Sequence, residues 1–289
     1  MKPRPAIRLL ALDVDGTLTA RYDEVSEATR HALGRALEAG IEVVISTGRR
    51  YRTTRAVIDA LGFPVAAVCL GGALVKEADG STLAARPIEP DALAAVVALV
   101  REAGLVAVGQ RDSDGAGGPD FLIDGALPWD RFVRAYHKRN EGHAEWRRDL
   151  AAEAGEELLV VGAFGEEPRL RSLAGEVEAR LGGRFAARVL APAHADMGSY
   201  CEILPVDVCK WRGLSALART RGLQAEAICA VGDGVNDLSM VEAAGLGVAM
   251  GNAHAALREV ADWVTGRHDE DGLVAVVDRI LAPADGGGW

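Results

Sequence analysis

Short apolar runs alternate with amphipathic stretches at both ends of the chain, and the rhythm is lost in the middle. The runs "IRLLAL", "IEVVIS" and "VAAVCL" are apolar and bounded by turn residues, as expected of strands buried on both faces. Between them lie the helical patterns "SEATRHALGRALEAG" and "RTTRAVIDALG". The first puts Ala28, Ala32, Leu33, Ala36 and Leu37 on one face, with Ser26 as N-cap and Gly40 just past the end. This alternation predicts a parallel sheet covered by helices. The next stretch, "LGGALVKEADGSTLAARPI", reads as a hairpin turning at Asp79 and Gly80.

From Glu89 to Leu204 the texture changes. Helical patterns at "DALAAVVALVREAG", "WDRFVRAYHKRN" and "EPRLRSLAGEVEARLGG" are separated by the strand candidates "LVAVGQ", "DFLID", "ELLVVGAF" and "SYCEILP". The loop from Arg111 to Asp120, rich in Gly and Asp, reads as mobile. After Pro205 the first rhythm returns, through "CKWRGLSALARTRG", "AICAVG", "DLSMVEAAG", "GVAMG", "AHAALREVA" and "DWVT" to a last helix from Gly272 to Leu281. The expected fold is α/β: a doubly wound parallel-sheet core built from residues 1–88 and 205–289, with an α+β domain, residues 89–204, inserted in it.

Composition narrows the function classes. The 289 residues are 49% hydrophobic and 26% charged, a globular balance. Lys and Arg total 32 against 42 for Asp and Glu, a formal charge of −10, which argues against a broad grip on nucleic acid or an anionic membrane. An anionic ligand must then be held locally. The four cysteines, Cys69, Cys201, Cys209 and Cys229, form no CxxC pair and read as reduced core residues. The opening "MKPRPAIRLLAL" imitates a secretory signal, but its apolar run stops at Asp13, and no run approaches the ~18 residues of a membrane span. The expectation is a cytoplasmic protein, monomer or homodimer.

The chemistry gathers where predicted strands end. In an open parallel sheet, ligands bind beyond the carboxyl ends of the strands. Those positions hold Asp13 to Thr17, Ser46 to Arg49, Gly71 and Gly72, and Gly232 to Asp237. Asp13 and Asp15 stand two residues apart directly after an apolar strand, where like charges at close range repel and burial penalises them. Oxygen-only donors of this kind suit a hard cation such as Mg²⁺, which shares its sites with phosphate.

Taken alone, "DVDGT" could be a turn, Thr47 an N-cap and Lys210 a solvated helix lysine. Their order along the chain removes that ambiguity. "DVDGTL", "STGR", the lysine of "VCKWRGL" and "GDGVNDLSM" followed by "GVAMGNA" resemble the four motifs of the haloacid dehalogenase superfamily of phosphotransferases, most closely the Cof-like branch with its large α/β cap. The resemblance implies a Mg²⁺-dependent hydrolase of small phosphorylated metabolites such as sugar phosphates, acting through an aspartyl-phosphate. Asp13 would be the nucleophile and Asp15 the general acid and base. Asp13, the backbone carbonyl of Asp15, Asp233 and Asp237 would make the metal site, with Asp237 orienting Lys210 or a metal-bound water. Thr47, Gly48, Arg49, Lys210 and Asn236 would contact the phosphoryl group or substrate. Arg49 equally fits a surface ion pair. Transport ATPases related to the superfamily carry threonine in place of the second aspartate and keep their phospho-enzyme; Asp15 implies prompt hydrolysis.

The cap would supply specificity, with the loop from Arg111 to Asp120 as the candidate contact. His194 reads as a surface-loop residue, and Trp129, Trp211 and Trp263 as packing residues. Cof-like proteins usually carry Asn-Gly after the third strand, where this chain has Gly71-Gly72, so a side-chain amide is missing. Two rivals keep the same core: a sugar phosphomutase and a non-enzymatic sensor of a phosphorylated metabolite.

Overall fold

A computed structural model describes residues 6–19, 23–113, 118–152, 158–190 and 196–282. The chain divides into two compact units, one made of residues 1–84 and 209–289, the other of residues 85–208.

The first unit begins with β1 (Leu9–Leu12), α1 (Glu27–Glu38), β2 (Glu42–Ser46), α2 (Tyr51–Leu61), β3 (Ala66–Cys69), β4 (Leu74–Lys76) and β5 (Thr82–Ala85). The Ser26 hydroxyl caps α1 by accepting from the Thr29 N–H at 3.1 Å. Its buried face is Thr29, Ala32, Leu33 and Ala36; Ala28 is exposed and Leu37 half-buried, so the apolar stripe is rotated from the expected one by the burial of Thr29. β4 and β5 form the expected hairpin, closed by the Glu77 N–H donating to Ser81 O at 2.9 Å.

The second unit holds α3 (Pro90–Glu102), β6 (Val108–Arg111), β7 (Phe121–Asp124), α4 (Arg131–Arg139), β8 (Ala144–Arg147), β9 (Leu158–Gly165), α5 (Glu167–Leu181), β10 (Phe185–Leu190) and β11 (Ser199–Pro205). Its six strands lie in the order β10-β11-β9-β6-β7-β8, antiparallel except for the parallel pair β7 and β8. Leu93, Val96, Val97 and Val100 of α3 and Leu170, Leu173 and Val177 of α5 pack on one sheet face, against Leu122, Val161, Cys201 and Ile203. The opposite face carries Phe132, Val133 and Tyr136 of α4 against Phe121, Ile123 and Phe164. β8 and β10 were not expected from the sequence. Part of the loop expected to be mobile, residues 114–117, and His194 lie outside the described residues.

The first unit resumes with α6 (Lys210–Thr220), β12 (Ile228–Gly232), α7 (Leu238–Ala243), β13 (Leu246–Ala249), α8 (Ala255–Val260), β14 (Trp263–Val264) and α9 (Gly272–Leu281). Its eight strands run β14-β13-β12-β1-β2-β3-β4-β5, with the six from β14 to β3 parallel and β4 antiparallel to β3. Central β1 is buried on both faces, which is why it reads as an unbroken apolar run. Leu9 and Ala11 pack with Leu214 and Leu217 of α6 and Met240 and Val241 of α7, while α1 and α9 lie together elsewhere in the unit, joined by the Arg35–Asp278 ion pair at 2.6 Å. Cys69, Cys201 and Cys229 are buried free thiols and Cys209 is partly buried. No helix among the described residues is long and apolar enough to cross a membrane.

Candidate active site

Neighbouring strands β1 and β12 are joined in parallel register, Leu12 opposite Val231, and the Asp13 N–H extends the ladder to Val231 O at 3.0 Å. The chain leaves β1 toward β2 and β3 on one side and reaches β12, β13 and β14 on the other. Connections that depart in opposite directions leave a crevice at the carboxyl ends of the two strands. Asp13 and Asp233 are the residues that emerge there.

Carboxylate oxygens of Asp13, Asp233 and Asp237 lie within 4.8 Å of one another. Lys210, the first residue of α6, is 1% exposed and its ammonium donates to Asp13 Oδ1 and to Asp237 Oδ1, each at 2.5 Å. Burial opposes the lysine charge, but Asp13 and Asp237 more than offset it and hold its pKa above that of an ordinary lysine. Asp13 goes the other way: burial first, then the neighbouring Asp237, push it up to about 8 despite Lys210. Asp233 is pushed up to about 6, again by burial and then by Asp237. Among the described residues, one ammonium thus bridges two of three crowded carboxylates, and ionising all three would leave more negative charge than it neutralises.

Asp237 is the most committed of the three. Its Oδ2 accepts from the N–H groups of Asp233 at 3.0 Å and Gly234 at 2.9 Å, while Oδ1 holds Lys210. It therefore ties the loop after β12 to α6. Asp13 and Asp233 keep more unclaimed oxygen capacity.

Two glycines make the approach possible. Gly16 has φ +80°, and a Cβ there would lie 2.3 Å from Asp233 Oδ2. Gly72, at φ +111°, would place a Cβ 2.1 Å from the Cys209 carbonyl, directly before Lys210. Gly71 has φ +63°, the left-handed region in which glycine and asparagine are the tolerated residues. Gly71 therefore meets a backbone demand that an asparagine could also meet.

Thr47 directly follows β2 and is buried; its N–H donates to Val68 O at 2.8 Å and its hydroxyl accepts from the Arg49 N–H at 3.1 Å. Asn236 reaches toward Gly48, its Nδ2 4.0 Å from where a Cβ of that glycine would stand. Asp15 does not join the three clustered carboxylates. Both its oxygens accept from Arg49, Oδ2 from Nε at 2.8 Å and Oδ1 from Nη2 at 2.5 Å, and the same guanidinium is bonded to Asp23.

Sequence reasoning passed over three participants. Asn252 donates through Nδ2 to Gly16 O at 2.8 Å and to Asp233 Oδ2 at 3.3 Å, and its Oδ1 accepts from the His268 N–H at 3.0 Å, stitching three loops together. It was visible as the asparagine of "GVAMGNA" but had no assigned task. The Thr17 hydroxyl donates to Asp233 Oδ1 at 3.5 Å, and Asp23 binds Arg49.

A family model of haloacid dehalogenase-like hydrolases matches residues 10–277. Among curated proteins, the 5-amino-6-(5-phospho-D-ribitylamino)uracil phosphatase YwtE of Bacillus subtilis is 28% identical, the alignment covering 96% of this chain and 99% of that one. The pyridoxal phosphate phosphatase YbhA of Escherichia coli is 26% identical over 93% of this chain and 97% of its own. Among solved structures, a haloacid dehalogenase-like hydrolase from Bacteroides thetaiotaomicron superposes with a TM-score of 0.76 at 26% identity, covering 95% of this chain and all of that one.

Proposed function

We propose, from the premise that the chain belongs to the haloacid dehalogenase-like hydrolase family, that it is a phosphatase that cleaves small phosphorylated metabolites with Asp13 as its nucleophile. The observation that carries this reading is the surplus of acidic groups around Lys210: an ammonium bonded to Asp13 and Asp237, with Asp233 beside them, in a buried crevice. A purely structural cluster has no use for that surplus. A hard divalent cation does, and all-oxygen donors fit Mg²⁺.

Asp13 and Asp233, whose oxygens are the less committed, would hold the cation, together with the Asp15 carbonyl. Asp237 serves better as the anchor of Lys210 than as a ligand, because it accepts three hydrogen bonds of 2.5–3.0 Å, whereas the bonds to Asp233 from Thr17 and Asn252 are longer, at 3.5 Å and 3.3 Å. A bound Mg²⁺ supplies charge neutralisation, without which a phosphate dianion is repelled by the rim. The same positive charge favours the ionised, nucleophilic form of Asp13, which burial otherwise disfavours at neutral pH.

The other side chains have separable tasks. Lys210 and the Thr47 hydroxyl brace the phosphoryl oxygens, Gly48 leaves room beside them, and Asn236 contacts phosphate or substrate. Asp15 protonates the departing alcohol and then takes a proton from the water that opens the aspartyl-phosphate.

Turnover of p-nitrophenyl phosphate with Mg²⁺ tests this reading. The parent protein is expected to release p-nitrophenolate, and Asp13→Asn to lose at least about a thousandfold in rate, roughly 4 kcal/mol of barrier. Equal turnover by the variant removes Asp13 as nucleophile.

A further inference from the structure

Asp23 has no part in the phosphoryl-transfer scheme, yet it is held in an uncommon conformation. Its φ is +64°, in the left-handed region that non-glycine residues seldom occupy, Asp and Asn being the usual exceptions. From there its carboxylate accepts a hydrogen bond from Nη1 of Arg49. The remaining edge of the guanidinium, Nε and Nη2, is spread over both oxygens of Asp15. Arg49 is thus pinned from two sides, and the planar fork transmits that fixation to Asp15.

The Asp15 side chain is 65% exposed and that of Arg49 22%, so their charge attraction is largely screened. What such an arrangement supplies is orientation. Ionised Asp15 can accept from both Nε and Nη2. Once one of its oxygens carries a proton, only the carbonyl oxygen remains a good acceptor, and Arg49 must give up one of its two bonds to Asp15. Among the described residues, the bond to Asp23 is the guanidinium's hydrogen bond outside Asp15, so it is unaffected by which Asp15 oxygen carries the proton.

We propose that Asp23 is a positioning residue: by retaining Arg49, it keeps an anchor on one oxygen of Asp15 while the other oxygen exchanges its proton. This rests on the reading of Asp15 as proton donor and acceptor. In the first step the bond from phosphorus to the leaving oxygen breaks as Asp13 bonds to phosphorus, and the Asp15 proton passes to that oxygen. In the second, water bonds to phosphorus, its proton returns to Asp15, and inorganic phosphate departs from Asp13. Arg49 steadies Asp15 through both steps, and Asp23 steadies Arg49.

The test uses Asp23→Gly, since glycine tolerates the left-handed backbone and removes the acceptor of Arg49, with Asp23→Asn, whose amide oxygen can still accept, expected to lose less. The readout is kcat/KM on p-nitrophenyl phosphate, whose phenolate leaves without help, and on phenyl phosphate, whose poorer leaving group needs the donated proton. The proposal requires a fall of about tenfold on phenyl phosphate against less than about threefold on p-nitrophenyl phosphate, with the melting temperature kept. A parallel fall on both substrates, the pattern of an Arg49 that serves the phosphate itself, overturns it. So does no fall on phenyl phosphate. A parent protein inactive on both substrates removes the phosphatase reading and this proposal with it, whereas an active parent with uniformly affected variants removes this proposal alone.

Discussion

Each unit of the molecule places one cation between two carboxylates, and the two clusters differ in what surrounds them. In the second unit, Arg101 donates to both oxygens of the buried Asp124, at 2.9 Å and 2.7 Å, and to Asp149 Oδ1 at 2.6 Å. Asp124 also accepts from the Leu150 N–H at 3.0 Å, and Asp149 from the N–H groups of Ala151 and Ala152. The Arg101 hydrogen bond holds the Asp149 carboxyl below its ordinary value. In the first unit, Lys210 also bridges two carboxylates, but a third stands beside them and burial drives Asp13 upward instead. The former is a closed lock. The latter is left short of positive charge, and that shortage, rather than the presence of charged residues, is what supports reading it as the reactive centre.

Substitutions should separate the two clusters. Of the two, the larger effect is expected from Lys210→Met, which removes the proposed phosphoryl brace: kcat/KM on an aryl phosphate should fall about 100- to 1000-fold, measured beside the parent at saturating Mg²⁺. A loss below tenfold would put Lys210 in the same structural category as Arg101. Next, Asp124→Asn should cost about 3 kcal/mol of stability in urea unfolding, because it breaks a buried charge pair, while turnover by the folded fraction changes by less than about twofold.

The smallest effect concerns pH. Asp13 and Asp233 sit at about 8 and about 6 in the fold against 3.8 for a free aspartate, so the metal-free folded chain retains protons that the unfolded chain has released. Its stability therefore falls as pH rises from about 4 to about 8, and a divalent cation offsets that loss only where the carboxylates are ionised. Mg²⁺ should raise the melting temperature more at about pH 8 than at about pH 5.5, by on the order of 3 °C in differential scanning fluorimetry. An equal shift at both pH values would place the cation elsewhere.

The sequence made the strands of the parallel core legible because burial on both faces leaves an unbroken apolar run, as in "LLAL". It failed on β8 and β10, and these are the two edges of the second sheet. Their side chains are mostly half-exposed, so neither "AEWR" nor "FAARVL" shows the apolar alternation of a sheet with one buried face. The candidate site followed the same logic. Asp13, Asp233, Asp237 and Lys210 lie at element ends fixed by strong patterns, and the fold brings them together. Asn252, Thr17 and Asp23 act through loop conformation, which no spacing encodes, and Arg101, Asp124 and Asp149 meet by tertiary packing alone.

The place of β1 between β2 and β12 has a consequence for biosynthesis. During translation the first strand can pair with β2 early, but its other edge waits for Ile228–Gly232, more than two thirds of the chain later. Until the ribosome has delivered that segment, an apolar edge stays open and Asp233, which the proposed cation site needs, does not yet exist, so the nascent chain is exposed to mispairing at that edge. Truncated products ending before β12 should accordingly be insoluble as well as inert.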